Sequence, residues 1–203
     1  MVRGSKFDQA EFVEAALVLL SEGGLTAVTM AAIARRSGAP TGSIYHRFPS
    51  RSAVVAAAWL RALTAFAGEI ETALRTAPPG IAAMTLIAWA RAHSCEARAL
   101  FLNEPASLFD TAPPEDLSAA IRAQEARIEA AFESWPDVST AAGFDRAEAF
   151  ARLRFAIIDG PIALIRPYLQ SAEPIPAFVD RIAANLGCLV AAEPHPLSSR
   201  AAE

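Results

Sequence analysis

The sequence predicts an all-α fold, and three observations carry the prediction. Hydrophobic residues make up 53% of the 203 positions and charged residues 20%, enough to build a large core and too few charges for a disordered chain. The chain is rich in Ala and Leu and poor in Thr and Tyr, a balance that favours helix over strand. No segment alternates apolar and polar residues with period two over a useful length, so no sheet is expected.

The helices follow in order. In FDQAEFVEAALVLLSEGG, Phe12, Ala16, Leu19 and Leu20 recur at helical spacing and Gly23-Gly24 closes the run. Thr29 N-caps MAAIARRS, whose inner face is Met30, Ile33 and Ala34, and Gly38 stops it. Ala39-Pro40 makes the turn, because a proline disfavours helical geometry in the residue before it. Pro40 or Thr41 opens a third short helix with Ile44 and Phe48 as an i,i+4 apolar pair. Pro49 breaks it, and Ser50 caps a fourth helix from about Arg51 to Leu74. Two short helices joined by a tight glycine-bearing turn have the spacing of a helix-turn-helix.

Beyond residue 75 the punctuation is proline and glycine: Pro78-Pro79-Gly80, Pro113-Pro114, Pro136, Gly143, and Pro174 to Pro176. These divide the chain into helical segments near 80–94, 96–109, 114–134, 144–169 and 176–191. The expected organisation is an N-terminal three-helix unit over 1–51, a helical body over 52–192 and a flexible tail over 193–203.

The net charge of −4 conceals an asymmetry. Residues 1–51 hold six Lys and Arg against four Asp and Glu, while the remainder holds twelve against eighteen. A basic segment on an acidic body suggests an anionic partner for that segment alone. Two cysteines, Cys95 and Cys188, match neither a disulfide framework nor a paired metal-ligand spacing. The start MVRGSKFDQ lacks the apolar core of a secretory signal, and stretches such as AFVDRIAANLGCLVAA are too short and too interrupted by charge to span a bilayer. A cytoplasmic protein with no membrane partner is expected. Three histidines with no HExxH and no glycine-rich phosphate loop give no support for a metal or cofactor. His93 and Cys95 invite a reading as a nucleophilic pair, but residues two apart on a helix point roughly 200° from each other. Catalysis is therefore not expected.

The stretch TGSIYHRFPSR is the informative one. If Ile44 and Phe48 anchor the third helix, Thr41, Ser43, Tyr45, His46 and Arg47 point largely outward. Gly42 in the first turn lets another surface approach a helix end whose free N–H groups and dipole suit a phosphate. Tyr45 taken alone is an ordinary packing residue with a wet hydroxyl, His46 alone a surface histidine, and Arg35 and Arg36 a complement to the helix C-terminal dipole.

Taken together, TMAAIARRSGAPTGSIYHRFPSR resembles the DNA-binding helix-turn-helix of the tetracycline-repressor (TetR) family of bacterial regulators. The resemblance rests on Thr29, Ile33-Ala34, Gly38, Gly42, Ile44, Tyr45, Phe48 and Arg51, and it covers roughly residues 7–60. Ala39-Pro40 departs from the family's usual Val-Ser at the turn, and Arg51 stands for the usual Lys. An "IIDG" in the penultimate helix is similar to the family's dimerisation region. The resemblance implies a homodimeric transcriptional regulator, usually a repressor, bound to a double-stranded DNA operator and answering to a small-molecule effector. In that reading Tyr45 and Arg51 hold the phosphate backbone, Thr41, Gly42, Ser43 and His46 lie near bases or phosphates, and Thr29 sits at a backbone-facing helix start.

For the body, the resemblance implies a ligand pocket among aromatic residues, with Trp89, His93, Phe101, Phe155 and Asp159 as candidates. Asp159 interrupts the apolar run FAIIDGPIALI. It can serve a ligand, pair with an Arg such as Arg166 across a dimer axis, or lie on a wet face. Leu153, Ile157 and Ile165, with Phe178, Ile182 and Leu186, form apolar stripes suited to a four-helix dimer interface, or to packing within one subunit. Two rival readings remain open: a helical enzyme using that pocket, and a helical interaction module whose basic end meets an acidic protein.

Overall fold

The computed structural model describes residues 8–135 and 145–191. The expected tail lies outside them, as does the turn around Pro136 and Gly143. Helices are numbered in chain order over the described residues, among which there is no strand.

The first unit is built by local signals. Helix α1 (Gln9–Ala27) starts at Asp8, whose N–H donates to Glu11 Oε2 at 3.2 Å. Gly23-Gly24 kinks α1 instead of ending it: Gly24 takes φ +63°, and one further turn follows. Helix α2 (Met30–Ser37) is capped by Thr29, whose hydroxyl accepts from Ala32 N at 3.0 Å, and it ends on Gly38 at φ +67°. A cap of this kind contributes ~1 kcal/mol. Helix α3 (Thr41–Tyr45) follows Pro40, and Phe48 N still donates to Ile44 O at 2.8 Å, so the coil continues past its formal end. Phe12, Leu17, Leu20, Val28, Ile33 and Ile44 are fully buried between the three helices and α4.

Helix α4 (Arg51–Thr76) joins this unit to the body, with the Ser50 hydroxyl accepting from Ala53 N at 3.1 Å. By length and composition α4 could cross a membrane, contrary to the expectation that no stretch could. The mean hydropathy of 1.4 over its most apolar 18 residues belongs instead to the central helix of the core, where Ala53, Val54, Ala56, Ala58, Ala62, Ala67 and Ile70 are all buried. Around it stand α5 (Pro79–Ala92), α6 (Ser94–Leu102), a 3₁₀ turn (Pro105–Ser107) and α7 (Glu115–Glu133). Helix α8 (Arg146–Arg154) runs through a π-turn (Phe155–Asp159) into α9 (Gly160–Ser171), and α10 (Phe178–Leu186) and α11 (Cys188–Ala191) close the described chain. The expected single helix at 144–169 is thus interrupted, because the π-turn inserts a wider turn that shifts the phase of the side chains after it.

Two contacts position the body. Ser52, buried in the first turn of α4, receives hydrogen bonds from Thr111 N and Oγ1 at 3.3 and 3.1 Å, which clips the α6–α7 connection to the start of α4. At the opposite end α5 and the α10–α11 junction cross backbone to backbone. A Cβ on Gly80 would stand 2.6 Å from Ala184 O, and one on Gly187 would stand 2.7 Å from Gly80 Cα.

Candidate functional site

The helix-turn-helix presents a compact polar surface. Ile44 and Phe48 are buried, so α3 is fixed from beneath. Thr41, Gly42, Tyr45 and His46 are exposed, Tyr45 by 54%, and Ser43 is half-buried. Nothing lies within 4 Å of where a Gly42 Cβ would stand, so the flank of α3 is open to an approaching surface. Thr29 is exposed at the start of α2 with its hydroxyl already engaged as the cap. Arg36 does more than complement a dipole: it grips Glu22 of α1 through two hydrogen bonds of 2.8 and 3.1 Å.

Arg51 does not stand where the sequence placed it. Its Nε donates to Val28 O at 2.5 Å, one terminal nitrogen donates to Leu25 O, and the other pairs with Asp110. All three guanidinium nitrogens face the protein itself, so the expected phosphate contact is replaced by a tie between the α1–α2 turn, the start of α4 and the body. The carbonyls of Leu25 and Val28 follow the Gly23-Gly24 kink; Leu25 O already accepts from Val28 N at 3.1 Å, while Val28 O takes its donor from Arg51.

A cavity of about 680 Å3 opens where the end of α1 meets α5, α6, the end of α9 and residues 172–175. Its apolar walls include Val18, Ala90, Leu169 and Ile175, and its polar groups include Glu22, Arg91, Cys95 and Arg98. Arg98 spans it, donating from Nε to Ser21 O at 2.9 Å and from Nη1 to Leu169 O. Cys95 lies 3.3 Å from the Ser21 hydroxyl. Burial pushes its thiol up, a shift that contact with Ser21 offsets in part and the nearby carboxylates of Glu96, Glu14 and Glu22 reinforce. The thiol therefore stays protonated near neutral pH and is a weak nucleophile.

The helix-turn-helix geometry coincides with a known family profile. Residues 12–58 match the family described as bacterial regulatory proteins, tetR family. That match takes in the N-terminal three-helix unit and the start of α4. No curated protein matches it in sequence. In fold it is similar to the transcriptional regulator FadR from Bacillus subtilis, solved in complex with stearoyl-CoA, at TM-score 0.66 and 12% identity, covering 93% of this chain and 100% of that one. It is also similar to the fatty acid degradation regulator FadR from Bacillus halodurans, at TM-score 0.63 and 14% identity over 89% and 98% of the two chains. A third likeness is a tetR family transcription regulator from Shewanella sp. PV-4, at 0.59 and 18% over 88% and 94%. At such identities the likeness establishes the fold.

None of the five residues expected to bind a ligand lines the cavity. Trp89 and Phe101 are buried and form a filled aromatic cluster with Phe66, with ring centroids 5.2 to 6.1 Å apart. His93 is exposed and stacks on Trp89 at 5.3 Å. Phe155 is 47% exposed because it opens the π-turn on its outer side. Asp159 takes the wet face, 3.7 Å from Arg154 Nε, with no burial to compensate.

The interface stripe also divides. Leu153, Ile157 and Ile165 are buried in the core of their own chain, so they have no face left for a partner. Phe178 and Ile182, one turn apart on α10, are 45% and 42% exposed. Leu186 is half-buried, its Cδ1 2.7 Å from where a Gly160 Cβ would stand. Phe155 Cε1 approaches the same point, at 3.4 Å, so the exposed Phe155 lies beside α10. The cavity's polar set was missed. No local signal in the sequence marks it, because Arg98 finds its carbonyl partners at Ser21 and Leu169, far away along the chain.

Proposed function

We propose that the chain is a dimeric repressor whose α2–turn–α3 unit reads an operator in double-stranded DNA and whose body releases that operator when a small molecule binds. The division proposed is a reader over 1–51 and an effector-binding and dimerisation body over 52–192, in a cytoplasmic, non-enzymatic protein.

The observation that carries the reading is the exposed set Thr41, Tyr45 and His46 around the open flank of Gly42, on a helix anchored by buried Ile44 and Phe48. Side chains held rigidly from beneath and left unpaired above suit the groove of a duplex, where some touch phosphate and others read base edges. Thr29 and Ser43 flank that set and are assigned to the backbone. Phe178 and Ile182, with Phe155 beside them, supply the apolar face proposed for a second copy, which places two readers on successive half-sites. The relative in fold that was solved with stearoyl-CoA supports a small-molecule effector in the body.

Fluorescence anisotropy on duplex DNA from upstream of the chain's own gene, at two salt concentrations and against unrelated duplex, tests the reading. Competitor-resistant binding that weakens steeply with salt is expected. Equal, weak binding to both duplexes from every upstream fragment tried overturns it and favours an interaction module.

A further inference from the structure

The cavity at the end of α1 has one unanswered demand. Arg91 engages all its nitrogens, with Asp180 at 2.8 and 2.9 Å and the carbonyls of Ile175 and Pro176 at 3.3 and 3.2 Å. Glu22 is occupied by Arg36. Arg98 uses Nε and Nη1 on Ser21 O and Leu169 O, and its Nη2 meets no partner among the described residues. A guanidinium edge with open donors in a partly desolvated cavity calls for a planar anion that accepts two hydrogen bonds, which is a carboxylate. The rest of the lining sets the remainder of the molecule. Val18, Ala90, Leu169, Pro174 and Ile175 offer apolar wall, while the exposed carboxylates of Glu22 and Glu173 repel a second negative charge. The volume lies within the ~300–1,000 Å3 of small-molecule sites.

The geometry points to this cavity, rather than the filled aromatic cluster around Trp89, as the effector site, and to a small monocarboxylic acid with an apolar body, its carboxylate held by Arg98, as the effector class. The inference rests on the regulator reading above and adds a route for the signal. Arg98 ties α1 to α9 through Ser21 O and Leu169 O, and a carboxylate that draws on the same guanidinium loosens that tie. The next residue, Glu22, carries Arg36 of α2 with it, and Gly23-Gly24 supplies the bend. Ligand binding is thereby felt in the reader's own helices.

Isothermal titration calorimetry of the full chain with octanoate, decanoate and benzoate, each against its neutral alcohol, tests the site. At least one carboxylate is expected to bind about tenfold or more tightly than its alcohol. Val18→Trp and Ile175→Trp, which fill the cavity, are expected to abolish that binding while melting like the wild type. The same carboxylate is expected to weaken DNA binding about tenfold in the wild type and less than twofold in Glu22→Gln, which cuts the link to α2. No carboxylate binding at millimolar concentration, alcohols binding equally well, or full binding by folded tryptophan variants overturns the site. If neither tryptophan variant folds, the carboxylate-to-alcohol ratio of the wild type decides. Loss of DNA binding by the ligand-free protein overturns the regulator reading and leaves the calorimetric result standing on its own.

Discussion

Arg51 Nε donates to the carbonyl oxygen of Val28 at 2.5 Å, so the residue that opens α4 is fastened to the turn that closes α1. The charge that sequence pattern assigns to DNA holds the reader's own frame together. Replacing Arg51 by Gln leaves the carbonyl of Val28 without a donor, leaves that of Leu25 with Val28 N alone, and leaves Asp110 without its cation. Urea unfolding is expected to show a loss of ~1.5–3 kcal/mol. DNA affinity falls with it, yet the slope of log K against log salt is expected to stay within error of the wild type. A phosphate contact would instead reduce that slope by ~0.9.

Tyr45 makes the opposite case. Because it is 54% exposed, Tyr45→Ala is expected to change stability by no more than ~0.5 kcal/mol in urea unfolding. Anisotropy on operator DNA is expected to show about a tenfold loss, equivalent to ~1.4 kcal/mol. Unchanged affinity would remove Tyr45 from the interface.

Gly80 and Gly187 allow two backbones to touch. An added methyl at Gly187 meets Gly80 Cα at 2.7 Å, and neither atom is a flexible side-chain end. Gly187→Ala is expected to cost ~1–3 kcal/mol by urea unfolding, the range for overpacking a tight site. The reader, which lies elsewhere in the fold, is expected to retain its DNA affinity per folded molecule.

Phe178 and Ile182 are the accessible part of the α10 stripe. Phe178→Glu combined with Ile182→Glu puts like charges on a self-complementary face. Light scattering is expected to report a monomer, with DNA affinity reduced by at least about tenfold because only one half-site is engaged. Core positions such as Ile157 are unsuitable for this test, since their loss unfolds the chain before it separates two copies.

Cys95 gives a pH signature. Its thiol is raised in the fold, chiefly by burial, so above the ordinary thiol range, ~8.5, the unfolded chain holds fewer protons than the folded one. Stability therefore falls as pH rises through and beyond that range, and is unaffected by this group below it. In Cys95→Ala the alkaline decline between about pH 8 and 10 is expected to be shallower in urea midpoints.

The reader was legible because its signals are local. Thr29 and Ser50 cap helices three residues ahead, Gly38 takes the left-handed conformation its position requires, and Pro40 marks the turn. The body was legible only as helices. Its apolar stripe could face the core or a partner, and the π-turn at Phe155–Asp159 rotates the pattern midway, leaving Leu153, Ile157 and Ile165 inside and Phe155 outside. The cavity could not be read at all, since Arg98 reaches carbonyls 77 and 71 positions away. Arg51 was misplaced for a related reason: a motif fixes which residue stands at a position, and the partners 23 to 59 positions distant fix where it points.

The crossing of Gly80 and Gly187 acts as a gauge. Where side chains separate two helices, every substitution resets their spacing by an ångström or so. Here main chain bears on main chain, and the distance is set by atoms that mutation cannot trade. A pair of subunits joined through the Phe178–Ile182 face inherits the span between its readers from that bearing. Residues around it are free to diverge while the footprint on the duplex keeps its length.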